Sequence, residues 1–173
     1  MTFTPKKLIG MGLIAVVVII GVVMAAFWPI DQSAVAVVSL QPMAGAMKVG
    51  QQFSEKVVVR SNKPANAIDL TVHYNTGQLE VVKTESKQTR FDMVLFPPNV
   101  NSSNGTIRFV QATAAPFSGQ GDDGLVGSIT FKAKRAGQPT ITVSGKVIAN
   151  DSKGTDLAVK PASKALWRVI LHK

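Results

Sequence analysis

At 173 residues, 46% hydrophobic and 17% charged, the chain has room for one ordinary domain and an appended segment. About 25% charge is usual, and much of the deficit has one source: the 21 residues Leu8–Trp28 hold no charge at all. Without Lys6 and Lys7 the remainder keeps 17 cations against 10 acids; with no cysteine, these figures exclude a multidomain enzyme, an acidic disordered tail and a disulfide-stapled miniprotein.

In chain order, residues 1–7 are expected on the cytoplasmic side of a membrane. At about 1.5 Å per residue, Leu8–Trp28 reaches roughly 31 Å as a helix, against a hydrocarbon core of about 30 Å. Lys6 and Lys7 on one flank and Asp31 on the other place the N-terminus inside and everything past Trp28 outside. Trp28 falls at the predicted outer interface, where an indole buries its ring and keeps its N–H wet. The run exceeds the apolar core of a signal peptide, and the A-x-A motif Ala34-Val35-Ala36 lies beyond Pro29 and Asp31. Residues 8–28 thus read as an uncleaved, single-pass signal anchor in the cell membrane. Residues 29–33 read as a short linker and 34–173 as one extracytoplasmic domain.

That domain reads as strands. Period-two alternation with turn residues every 8–14 positions predicts an all-β sandwich. The expected strands begin with Ala34–Gln41, followed by a turn region over Met43–Gly50, then Phe53–Arg60. Ala67–Tyr74 is the clearest: Ile68, Leu70, Val72 and Tyr74 point inward, and Ala67, Asp69, Thr71 and His73 outward. Leu79–Lys83 and a short Phe91–Phe96 come next, before a loop at Pro97-Pro98. Thr106–Ala112, Gly124–Lys134, Thr140–Val143, a separate Val147–Asn150, and Ala165–Leu171 complete the set. No helical period extends over ten residues past residue 30.

Several of these segments carry a resemblance. Val49-Gly50-Gln51-Gln52-Phe53 is similar to the "VGDTF" opening of cohesin domains, and Ala67–Val82 resembles their strand, "YDPxxLEVV" turn and following strand. Gly105–Phe109, Gly124–Ala133, Gly137 and Ile141–Val143 resemble the later glycine-and-strand run. The resemblance covers roughly residues 34–157. It implies a jelly-roll β-sandwich of about nine strands behind the N-terminal transmembrane helix. It also implies a non-catalytic module that docks a dockerin-type or other surface protein. The alternatives are a carbohydrate-binding module on the same fold and, third, a structural subunit of the envelope or of a surface appendage.

Catalytic and ligand chemistry find little support in the residues. His73 and Asp69 share a strand face but lie roughly 13 Å apart along it, and His172 stands beside the C-terminus. No G-x-S-x-G, H-E-x-x-H or P-loop pattern occurs, so no enzyme and no cofactor is expected. In the loop Asp151–Asp156 the third position of a calcium loop is the cation Lys153, so this stretch and Asp122-Asp123 read as turns, not metal sites. Sugar stacking needs exposed Trp or Tyr, whereas Tyr74 and Trp167 fall on inward or apolar positions. Phe91, Phe96 and Phe117 lie near loops. The cations Lys132, Lys134 and Arg135, and Lys83, Lys87 and Arg90, lack the interleaved aromatics of nucleic-acid binding; they read first as solvated strand edges, the alternative being attraction to anionic lipid heads or wall polymers. The family resemblance places the protein-docking site on the outward residues Asp69, Thr71 and His73. Asp69 stands where the family commonly has an acidic contact, and Ala67 where it often has a polar residue. Arg108 and Lys132 are expected to extend the face.

Overall fold

The computed structural model describes residues 35–87, 91–113, 124–149, 153–161 and 164–171, all within the unit Ser33–Lys173. The anchor with Leu8 and Trp28, the linker, and Arg90, Phe117, Asp122, Asp123, Asp151 and His172 lie outside them.

Eleven strands alternate as the side chains dictate: β1 Val35–Gln41, β2 Ala44–Lys48, β3 Gln52–Ser61, β4 Ala65–Tyr74, β5 Leu79–Ser86, β6 Met93–Asn101, β7 Thr106–Ala112, β8 Gly124–Ala133, β9 Thr140–Ala149, β10 Asp156–Pro161 and β11 Ala165–Ile170. No helix interrupts them among the described residues. One layer runs β5-β8-β3-β1 and the other β9-β4-β7-β6. Strand β10 joins the two, parallel to β1 and antiparallel to β9. Strand β11 hangs on the start of β9 and carries β2 parallel beside it.

Between the layers lie Val57 and Val59 of β3, Ile129 and Phe131 of β8, Ile68, Leu70 and Val72 of β4, and Ile107 and Phe109 of β7. Tyr74 reaches across to Phe131 at 5.3 Å between ring centroids. Such burial is the main favourable term holding a sandwich together. The inward set expected for β4, Tyr74 included, is buried, and so is Trp167 of β11.

Four expectations change. The region Met43–Gly50 is not only turn, because Ala44–Lys48 pairs with β11; its small residues suit a strand lying close over the Trp167 ring, which alternation cannot reveal. Asp156–Pro161 adds a second strand, bringing the count to eleven rather than about nine. The segments Thr140–Val143 and Val147–Asn150 form one strand through residue 149. Ser144-Gly145 reads as a break, but Gly145 (φ 140°) stays in the ladder, and a Cβ there would sit 2.1 Å from the Asp69 carbonyl oxygen. Pro97 and Pro98 lie inside β6, at a register shift between Phe96 and Asn99. An edge strand accepts proline because one side of it owes no hydrogen bonds.

Two polar side chains are buried among the described residues: Gln111, whose Nε2–H donates to Val126 O at 2.9 Å, and Glu55. Glu55 of β3 is fully buried, and the indole Nε1–H of Trp167 donates to its Oε1 at 2.5 Å. Its Oε2 has no partner. Burial pushes the Glu55 carboxyl up to about 7, against the smaller opposing pull of the Trp167 hydrogen bond.

Candidate docking face

Strands β9, β4, β7 and β6 lie side by side, so their outward side chains share one face. Register fixes the neighbours. Thr71 stands opposite Arg108 on one side and Ser144 on the other; Asp69 stands opposite Val110 and Lys146. The period of two delivers Asp69, Thr71 and His73 to this face because Ile68, Leu70 and Val72 are claimed by the core.

At its centre Arg108 grips Asp69 with two bonds, Nε to Oδ1 at 2.7 Å and Nη2 to Oδ2 at 2.5 Å. This forked geometry fixes both planes. The Arg108 hydrogen bonds hold the Asp69 carboxyl below the usual carboxylate range, and the Lys146 charge adds to the effect. Lys146 itself donates to Asp156 Oδ2 at 2.8 Å. His73 Nε2 and Ser144 Oγ are 3.0 Å apart. Asp69 and His73 each bond sideways across the sheet, not to one another. Beside Arg108, the irregular stretch of β6 forms a depression of about 470 Å³ lined by Phe96, Pro97, Pro98, Asn99, Arg108 and Val110. Phe96 is 64% exposed and Met93 45%. Polar centre and apolar flank thus adjoin on one surface.

The structure brings Asp69, Thr71, His73 and Arg108 together. Lys132 is elsewhere: it lies on β8 of the other layer, opposite Gln52 and Glu80. Sequence shows which strand a residue occupies, but the layer of that strand follows from long-range pairing. Ser144 and Lys146 escape sequence reading because the apparent break at Gly145 hides β9 as a neighbour of β4. Tyr74 and Trp167 are each 8% exposed and offer no face to a sugar. Among the described residues no three of His, Asp and Glu gather as a metal-binding group.

A cohesin-domain family model matches residues 38–165. No curated protein matches. The fold is similar to the cohesin of the OlpC cohesin–Doc435 type I complex from Clostridium thermocellum, with TM-score 0.63 and 15% identity over 82% of this chain and 96% of that one. It is also similar to the seventh ScaB type I cohesin of Pseudobacteroides cellulosolvens, with TM-score 0.60 and 20% identity over 80% and 94% of the two chains. A non-cellulosomal cohesin from the archaeon Archaeoglobus fulgidus gives TM-score 0.58 and 17% identity over 80% and 91%. With the family model spanning residues 38–165, well over half of its length, the chain belongs to the cohesin-domain family.

Proposed function

We propose that this protein is a non-catalytic docking module, tethered outside the cytoplasm by residues 8–28, whose β9-β4-β7-β6 face takes a dockerin-type protein partner. The observation that carries the reading is the forked Asp69–Arg108 pair beside the apolar depression at Phe96. An exposed ion pair adds little to stability, so a rigid pair next to an open apolar hollow is better suited to orienting a partner. Aromatic and Arg anchors of this kind dominate protein interfaces. The uncharged run Leu8–Trp28, with Lys6 and Lys7 before it, supports the anchor.

Capture from the organism's own lysate and culture fluid tests the face. Wild type should retain a protein partner, Asp69→Arg should lose it, and Lys56→Glu on the opposite layer should keep it. Retention that ignores Asp69→Arg would overturn the assignment. Alkaline carbonate extraction of cell membranes tests the anchor: the full chain should stay in the pellet and a version lacking residues 1–32 should not.

A further inference from the structure

Strand β11 departs from the polar-out alternation that β4 shows at Asp69, Thr71 and His73. Ala165, Trp167 and Val169 are buried, yet its outward Leu166 and Ile170 are apolar and 58% and 46% exposed. Leu171, just beyond, is 72% exposed. Strand β2 sets Ala44 beside Leu166, Ala46 beside Arg168, and Lys48 beside Ile170. The outer side of this two-strand ribbon therefore consists of aliphatic side chains, Lys48 and Arg168, and neither strand contains a carboxylate.

The ribbon runs past the start of β9 to one end of the sandwich. There the Val49 N–H donates to Ile170 O at 3.0 Å, Gly50 N–H to Ala133 O at 2.8 Å, and Gly137 bridges Val169. These bonds bring the end of β8 and the following turn to the same place, where the turn adds Lys134, which donates to Thr76 O at 3.0 Å, and Arg135 as exposed cations. One end of the domain thus joins open aliphatic side chains to a cationic rim.

We propose that the β2–β11 ribbon and its rim form a peripheral contact for an anionic lipid bilayer. Leu166, Ile170 and Leu171 enter the headgroup boundary while the rim meets lipid phosphates. Charge complementarity selects this occupant: a second copy would bring the same cations face to face. The reading shares its membrane with the anchor proposed above, since Leu8–Trp28 would hold the domain near a bilayer, but the test is independent of that anchor.

All strand partners and core side chains of the described sandwich lie between Val35 and Leu171, so a fragment of residues 33–173 folds by itself and lacks the anchor. It is mixed with phosphatidylcholine vesicles, with or without 30% phosphatidylglycerol, in 50 and 300 mM NaCl, and sedimented. Binding is expected only with phosphatidylglycerol and should weaken in high salt. Leu166→Ser with Ile170→Ser, and separately Lys48→Glu with Arg168→Glu, should each lower the affinity at least tenfold. Lys63→Glu with Lys83→Glu, an equal charge change away from the ribbon, should alter it less than twofold. These positions are exposed, and unchanged circular dichroism checks each fold. Absent wild-type binding, or an equal loss in the control, would overturn the proposal. Self-association abolished by the Leu166 and Ile170 changes, without vesicle binding, would hand the ribbon to a second copy. Carbonate extraction of the full chain reports on the anchor alone, so either idea can fail without the other.

Discussion

Replacing Glu55 by Gln isolates the cost of a charge in this core. Glutamine keeps the size and the carbonyl acceptor for Trp167 Nε1–H but cannot ionise. The Glu55 carboxyl titrates at about 7 when folded, against an ordinary value of 4.5, because burial disfavours the charged form. An acid whose folded value is raised holds its proton in the native state after the unfolded chain has lost its own. Stability therefore falls as pH climbs from about 4.5 through about 7, and levels off above. The interval corresponds to a ceiling of about 3 kcal/mol. For a domain of this size that is a melting shift on the order of 10 °C. Wild type and Glu55→Gln should melt within a few degrees of one another at pH 5, and the variant should melt well above wild type at pH 8. Asp69 and Glu85, held low by their cations (Glu85 to about 2), titrate below this window. Urea or thermal melts at pH 5–8.5 decide the matter. Parallel pH profiles for the two proteins would refute the reasoning.

Trp167→Phe should remove the donor that stabilises Glu55, costing about 1–3 kcal/mol at pH 8 and extending the pH-dependent loss to still higher pH, read by the same melts. Gly145→Ala should destabilise by about 2–4 kcal/mol, because the new methyl meets the Asp69 carbonyl and φ 140° disfavours any side chain; urea denaturation checks it. Asp69→Ala should leave stability within about 1 kcal/mol, since Asp69 and Arg108 are partly exposed, while abolishing partner capture. Phe131→Ala should cost about 3–5 kcal/mol in the same denaturation assay, its ring being fully buried against Phe53 and Tyr74.

Where apolar and polar residues alternate, as in Ala67–Tyr74, the sequence already says which side chains face the core; in Thr106–Ala112 it gives the strand, but Val110 faces out and the polar Gln111 in. Those strands match expectation nearly residue for residue. The misread segments obey a different physics. Ala44–Lys48 has too little contrast between its faces to display a period, and Gly145 and the Pro97-Pro98 pair look like interruptions although the ladder absorbs them. Glu55 sits between Ser54 and Lys56 as an ordinary charged strand residue, and nothing nearby in sequence announces Trp167, 112 positions away, as its partner.

By itself, then, the amino-acid order determined the uncharged N-terminal run, the all-β character of the rest, and the outward set Asp69, Thr71 and His73. These follow from local patterns of period and charge. Tertiary structure alone decided which strands are neighbours. It joined Arg108 to Asp69, sent Lys132 to the other layer, buried Glu55 beneath Trp167, and set Lys48 and Arg168 beside Leu166 and Ile170 on one ribbon. Each of these depends on pairing between distant segments, and a period of two names the face of a strand without naming the strand beside it.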